Sequence, residues 1–362
     1  MHVAHKILDR SSTSEDKSQN DKSDMLKIQP IVSIIIPCRN EAKFIDKCLN
    51  SVFLFDPVQG GMEVIVVDGM SDDGTRDILS KWMDHHPNLR VLDNIRRIVP
   101  VAMNIGIKAA EGNWIVRLDA HSEYPKDYLR LCLETGHKTG ADNVGGVFKT
   151  LSRDDSAQAM LVQALTTHRF GVGNADFRLN ASEGPADTVP YGCYRREVFN
   201  RIGFYDERLV RNQDYEFNRR LLRSGGHIWL NPKIQVCYYN QGSILGLFRQ
   251  AFFTAQWNTW MWYVAPYALA LRHLIPALFV LSLIGATLLS IFHPFGVLLF
   301  LSIISVYGIS ALVASIQQGC HYGMWMALIL PFLFLIYHIS YGMGILWGAL
   351  RLIVRRSPVQ VR

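Results

Sequence analysis

The sequence predicts an α/β domain built on a parallel sheet, followed by a C-terminal α-helical transmembrane region. Three observations carry this reading. Short apolar runs alternate with helix-patterned stretches from about residue 30 to residue 240, as βαβ units do. One such run, Met62 to Val67, is almost continuously apolar and rich in β-branched residues, which suits a strand buried on both faces of a parallel sheet. From residue 274 the chain becomes a series of long apolar runs of bilayer-spanning length.

Composition sets the bounds. A chain of 362 residues is long enough for more than one domain. Residues 1–29 are polar and charged and read as a disordered segment, without the basic and apolar stretches of a signal peptide. The net charge is +6, yet no Lys/Arg-rich block with interleaved aromatics occurs, so no nucleic-acid partner is expected. Positive charge on a membrane protein is better matched to anionic lipid. The cysteines Cys38, Cys48, Cys132, Cys193, Cys237 and Cys320 have neither zinc-like nor redox-motif spacing. They read as buried thiols in a reducing compartment, which places the soluble domain in the cytoplasm.

The elements follow in order. Ile31 to Ile36 forms the first strand and ends at Pro37-Cys38-Arg39-Asn40-Glu41. A helix from about Glu41 to Phe55 buries Phe44, Ile45, Cys48, Leu49 and Val52. The strand at Met62 stops at Asp68-Gly69 in a polar turn, and a helix carrying Ile78, Leu79 and Trp82 follows, its start capped by a Ser or Thr. Arg90 to Leu92 is a third strand. Pro100 opens a helix to Ala110, where its missing N–H costs nothing. Trp114 to Leu118 is the next strand, then Asn143 to Thr150, with Gly145-Gly146 for close backbone approach. A helix spans Gln158 to His168, and a Gly/Asn/Ser/Pro-rich loop runs to Thr188, long enough to be functional or mobile. Asn212 caps a helix that Gly225-Gly226 ends, and His227 to Leu230 is a last strand.

Three acidic sites stand out. In open α/β sheets ligands bind beyond the carboxyl ends of the strands. Asp68 ends one strand, where a carboxylate accepts hydrogen bonds from a base or ribose edge; an ordinary Asp-Gly turn is an equal reading. Asp119 and His121 end a strand expected beside it, and their alternation turns both side chains to one side. Carboxylate oxygen and imidazole nitrogen both ligate divalent ions, and a metal there neutralises a diphosphate. A turn-capping Asp with a solvated His is the plain alternative. Asp214 lies in the first turn of its helix, where acids suit the dipole; alternatively it is a general base at the mouth of the site.

The order of pieces resembles the family 2 glycosyltransferases with the GT-A fold, a nucleotide-sugar-binding, Rossmann-like domain. The match rests on PCRNE at Pro37 to Glu41, VVDGMSDDGT at Val66 to Thr75, Asn104 with Gly106, LDAH at Leu118 to His121, and NQDYEFNRRLLRSG at Asn212 to Gly225. The wording RLDAHSEYP, FGVGNADFR and RNQDYEFNRR is similar to the succinoglycan-synthesis members, membrane-associated β-1,3-glucosyltransferases acting on a lipid-linked sugar. The resemblance implies that Pro37, Arg39 and Glu41 line a nucleotide pocket, that Asp68 contacts the uracil–ribose part, and that Asn104 belongs to the nucleotide-sugar side. It sets Asp119 and His121 beside the diphosphate and its Mg²⁺ or Mn²⁺, makes Asp214 the base that deprotonates the acceptor hydroxyl, and puts Gly171, Gly173, Gln213 and Arg219 on the acceptor side. Two positions depart from the common pattern: His121 stands where many members have Asp, and Gln213 where many have Glu. The Q-x-x-R-W signature of processive members is missing, so a single, inverting sugar transfer is expected, from a UDP-sugar, with glucose favoured, to a lipid-linked glycan in exopolysaccharide synthesis. The alternatives are transfer to polyprenyl phosphate itself, or an inactive nucleotide-sugar-binding membrane protein. A nucleotidyltransferase needs a Gly-rich phosphate loop where PCRNE stands, and a transporter needs ionisable residues within its spans.

The membrane part divides into residues 241–273, aromatic and amphipathic and suited to interfacial helices, spans within 274–350, and a basic tail, 351–362. The spans are Leu274 to Phe292, Phe295 to Ile316 and Met324 to Leu350. Three spans put Arg351, Arg355 and Arg356 opposite a cytoplasmic catalytic domain, against the positive-inside rule; Trp257 to Leu271 as a fourth span returns them. Three spans plus an interfacial helix, in the inner membrane, is the preferred arrangement. His321 and His338 read as packing or loop residues.

Overall fold

The computed structural model describes residues 31–179, 182–354 and 357–358. The segment 1–29 and the tail residues Arg355 and Arg356 lie outside them. The chain alternates strand and helix at first: β1 (Val32–Cys38), α1 (Ile45–Phe53), β2 (Met62–Asp68), α2 (Thr75–His85), β3 (Leu89–Asp93), α3 (Val99–Ala109) and β4 (Trp114–Arg117). Next come α4 (Tyr128–Thr139), β5 (Asn143–Leu151), α5 (Ala157–Thr166), α6 (Arg169–Val172), β6 (Gly184–Pro185), β7 (Cys193–Arg195), α7 (Arg196–Ile202), α8 (Gln213–Arg223) and β8 (Ile228–Tyr239).

The eight described strands form one sheet in the order β3-β2-β1-β4-β7-β5-β8-β6. The first four are parallel, as expected, but β7 runs antiparallel to both β4 and β5, so the sheet as a whole is mixed. Alternate residues of each parallel strand feed two cores. Ile34, Ile36, Val64, Val66 and Val116 face one, and Ile35, Ile65, Val67 and Ile115 the other. That double covering is why these strands read as continuous apolar runs.

The chain steps outward from β1 to β2 to β3 and then returns to lay β4 on the other side of β1. This reversal is a topological switch point, where an open α/β sheet leaves a crevice beyond its carboxyl edge. β1 therefore separates the strands that carry Asp68 and Asp119; the expectation that these two strands are neighbours is corrected.

Other expectations shift too. Helix α1 starts at Ile45, and Phe44 is exposed because the chain around it is still a turn. No Ser or Thr caps α2; Asp73 accepts the Thr75 N–H instead. Asn212 does not cap α8: its backbone is left-handed (φ 61°) and its side chain donates to Asn258. Helix α4 was not foreseen, and β8 runs through Asn231-Pro232 to Tyr239. Its pairing with β5 shifts register between Gly145 and Val147, where a Cβ on Gly146 would collide with the Ile234 carbonyl. Cys38, Cys48, Cys132 and Cys193 are buried, but Cys237 is only half-buried and Cys320 is exposed on an apolar helix.

The C-terminal part is helical: α9 (Ile244–Val264), α10 (Ile275–Phe292), α11 (Phe295–Tyr322) and α12 (Met326–Ile353). The last three are long and apolar enough to cross a membrane. Their outward faces carry large apolar side chains, among them Leu278, Phe292, Leu298, Val306 and Leu328, which a water-facing surface does not tolerate in such number. Helix α9, capped by Ser243, packs along α12. Close approach is possible because a Cβ on Gly344 would meet the Phe252 carbonyl, and Ala255 lies beside it. Trp257 is only 3% exposed, so the aromatic residues of α9 do not form one outward face. The helix ends at Val264 and two short 3₁₀ turns follow, so Trp257 to Leu271 is not a single spanning helix.

Candidate active site

The crevice at the switch point is lined by the segments leaving β1 and β4. After β1, Asn40 has a left-handed backbone and its amide bonds the turn after β2: its N–H reaches Ser71 Oγ and its side-chain Nδ2 reaches Asp72. Glu41 N–H donates to Thr75 Oγ1. These bonds turn the Glu41 carboxylate towards β4, where His121 Nδ1 lies 3.2 Å from Glu41 Oε1. That hydrogen bond favours protonated His121, more than burial disfavours it.

Asp119 is fixed from below. Its backbone N–H donates to the Tyr124 hydroxyl at 2.8 Å, and Arg117 Nη2 stands 3.3 Å from its carboxylate. The other terminal nitrogen of Arg117, Nη1, stands 3.4 Å from the Asp214 carboxylate. Arg117 is only 12% exposed in its side chain. Burial works against its charge, but Asp119 and Asp214 outweigh it and hold the guanidinium firmly protonated. Its Nε is buried with no partner among the described residues, so an acceptor atom is still owed to it. Asp214, at the start of α8, accepts the Tyr215 N–H and is 47% exposed. One arginine thus joins the strand-end acid to the helix-start acid. Its signal was present in R-L-D-A-H, but an arginine at the end of an apolar strand reads as edge solvation.

The remaining expected residues separate into three groups. Pro37 and Arg39 stay at the rim; Arg39 is exposed, packs its stem near Gly69 and has no ion-pair partner among the described residues. Asp68 and Asn104 do not present free edges. Asp68 is 0% exposed and accepts from Ser71 N, Ser71 Oγ and Arg76 Nε, the last at 2.6 Å. Burial alone would raise its pKa, but these bonds outweigh it and hold the carboxyl below its usual range. It organises the turn, and Arg76, which also pairs with Asp93, seals it. Asn104 is buried and exchanges bonds with Tyr205, donating to its carbonyl and accepting its N–H, so it anchors the segment before Glu207. On the expected acceptor side, Gln213 and Arg219 lie on α8. Gly171 packs against α5 and Phe334 of α12, at the junction with the long helices, and Gly173 makes a positive-φ turn with open space around it.

Asp119 and His121 offer one carboxylate and one imidazole. Among the described residues no third His, Cys, Asp or Glu joins them to make a closed metal cage. The pair nevertheless fits a hard divalent ion that keeps most of its shell for substrate phosphates and water. Glu41 occupies His121 Nδ1, so Nε2 is the nitrogen a metal would take in place of a proton, the arrangement in which a carboxylate orients a ligating imidazole.

A switch-point sheet edge where a buried arginine joins a half-exposed helix-start acid to a strand-end acid, followed by three helices long and apolar enough to cross a membrane, is the architecture of a GT-A sugar transferase. The chain belongs to glycosyl transferase family 2, whose family pattern matches residues 33–203. It is 32% identical over 222 residues to the succinoglycan biosynthesis protein ExoA of Rhizobium meliloti, covering 60% of this chain and 66% of that protein. It is 30% identical over 227 residues to a Methanococcus voltae dolichyl N-acetyl-α-D-glucosaminyl phosphate 3-β-D-2,3-diacetamido-2,3-dideoxy-β-D-glucuronosyltransferase, covering 60% and 70% respectively. The fold is shared with a Pyrobaculum calidifontis mannosyltransferase solved with GDP-Man and Mn²⁺ (TM-score 0.55, 18% identity), over 91% of this chain and 88% of that one.

Proposed function

We propose that this chain is an inverting, non-processive glycosyltransferase that moves one sugar, glucose from UDP-glucose in the first instance, onto a lipid-linked oligosaccharide in exopolysaccharide synthesis. The observation that carries it is the Arg117 bridge between Asp119 and Asp214 at the switch point. The relatives support the acceptor class: one is a succinoglycan biosynthesis protein, and another is named for a dolichyl-linked sugar acceptor.

The chemistry needs a hydroxyl made nucleophilic and a diphosphate made a good leaving group. Asp214 takes the proton from the acceptor hydroxyl as its oxygen bonds to sugar C1, while the C1–O bond to the diphosphate breaks and its electron pair leaves with the nucleotide. On this reading Asp214 serves the face of the sugar opposite the diphosphate, so displacement is in line and an α-linked donor gives a β-linkage. Arg117 orients Asp214, and its charge balances both acids. Asp119 and His121 would hold Mg²⁺ or Mn²⁺, which supplies charge neutralisation to the diphosphate when bound. Pro37, Arg39 and Glu41 form the nucleotide rim on this reading, with Arg39 free to meet a phosphate or ribose. Helices α10 to α12 cross the inner membrane, with the catalytic domain at its cytoplasmic face and α9 near the interface. The experiment is sugar transfer from each of several nucleotide sugars to a membrane lipid extract, with Asp214→Asn as the control.

A further inference from the structure

Where α8 meets the chain entering the first spanning helix, a second cluster of polar side chains lies next to Asp214. Tyr215 follows Asp214 directly, and Arg219 is one turn along. Opposite are Trp262 of α9 and Arg272 and His273 of the turn just before α10. The Tyr215 and His273 rings are 5.3 Å apart, Trp262 stacks on His273 at 6.3 Å, and the Arg272 guanidinium lies 5.8 Å from the Tyr215 ring centre. Arg219 is close enough for its charge to act on both Tyr215 and His273.

This cluster is unfinished. Tyr215 Oη, Arg219 Nε, Trp262 Nε1 and His273 Nδ1 are all buried with no hydrogen-bond partner among the described residues. Two of these atoms can only donate, and none can only accept. Buried polar atoms are normally paired, and the two that can only donate, Arg219 Nε and Trp262 Nε1, call for an acceptor from outside the described residues. The acid in contact with the cluster is Asp187, already paired with Arg272 at 2.6 Å. The cluster also sits at a defined height, because α10 begins at Ile275 and its apolar side chains follow at once.

We propose that Tyr215, Arg219, Trp262, Arg272 and His273 form a binding site for the phosphate group of the lipid that carries the acceptor. This deepens the reading above and rests on the acceptor being lipid-linked. A phosphate supplies the missing acceptor oxygens, suits the arginines, and at this height belongs to an amphiphile whose chain lies along the spanning helices. It would set the carried sugar beside Asp214.

The test measures binding of farnesyl phosphate to the full chain in detergent, with farnesol and inorganic phosphate as comparisons, in the unmodified protein, Tyr215→Phe and Arg219→Gln. UDP binding and thermal midpoint confirm that each variant is folded with its donor half intact. Saturable binding of farnesyl phosphate that weakens about tenfold or more in both variants is the expected result. Unchanged binding in both variants would overturn the site. Equal affinity for inorganic phosphate would overturn the lipid assignment, and equal affinity for farnesol would overturn the phosphate. Sugar transfer to a soluble glycan without any lipid would instead remove the underlying reading, an outcome distinguishable from all of these.

Discussion

Arg117 Nη1 stands 3.4 Å from an Asp214 carboxylate oxygen, an ion pair that ties the end of β4 to the start of α8. The same guanidinium reaches Asp119, so the strand-end acid and the helix-start acid share one buried cation. A lysine offers one compact ammonium on a flexible stem in place of two terminal nitrogens fixed in a plane, so it does not hold the two acids at this spacing. Arg117→Lys is expected to lower kcat by about 100-fold while leaving the dissociation constant for UDP within about twofold, as a misplaced catalytic group does. Steady-state kinetics and equilibrium UDP binding check this; an unaltered kcat would remove Arg117 from the mechanism.

Asp214→Asn keeps the size of the side chain and removes its basicity. Transfer should fall by about 100- to 10,000-fold, the contribution typical of a positioned general base. The thermal midpoint should fall only modestly, since Asp214 is half exposed, Asp119 keeps its contact with Arg117, and the Tyr215 N–H can bond the amide oxygen equally well.

Glu41 Oε1 lies 3.2 Å from His121 Nδ1, and on the proposed reading it acts through that ring. Glu41→Gln should weaken the Mn²⁺ requirement curve by about 10- to 100-fold, the range for losing a carboxylate that orients a ligating imidazole. Titrating Mn²⁺ against UDP binding reads this without relying on turnover. Chelation should abolish transfer in the unmodified protein, and His121→Asp should retain metal dependence.

Far from the site, Glu63 is held under the sheet. Ser33 Oγ donates to it at 2.6 Å, Arg90 Nη2 at 2.6 Å and the Glu111 N–H at 2.6 Å. Burial pushes its pKa up, but these three donors outweigh it and the net shift is down. A depressed carboxyl contributes stability that is fully present above its unfolded value of about 4.3 and is lost as pH falls through the lower folded value. The protein should therefore lose stability on acidification below about pH 4, and Glu63→Gln should flatten that dependence while costing about 1–3 kcal/mol at neutral pH. Thermal midpoints across pH 3 to pH 7 measure both, in roughly the window the titration occupies.

Much of this was legible in the residues, and the exceptions have physical causes. The parallel strands announced themselves because both faces are buried, and Asp119, His121 and Asp214 were visible as polar groups at element ends. Arg117 was not, since its partners come from elsewhere in the chain and only tertiary packing brings them together. Asp68 and Asn104 sit in the right motifs, yet their polar atoms are spent on Ser71, Arg76 and Tyr205; a motif fixes position, and only the fold fixes which edge is free. Gly171 was expected on the acceptor side, whereas its close contact with α5 and Phe334 is a property of the helix that packs beside it. The last strand was expected to stop at Leu230, but β8 runs on through Asn231-Pro232 at an irregular stretch of its pairing with β5.

The decisive experiment is a donor screen on the purified full chain. UDP-glucose, UDP-galactose, UDP-N-acetylglucosamine and GDP-mannose are supplied one at a time with Mn²⁺ and a membrane lipid extract, and nucleoside diphosphate release is followed together with sugar incorporated into lipid. Release from one donor, dependent on metal and lipid and lost in Asp214→Asn, is the expected result. Transfer that persists undiminished in folded Asp214→Asn, or nucleotide binding with no transfer from any donor, would contradict a transferase built on the Arg117–Asp214 pair.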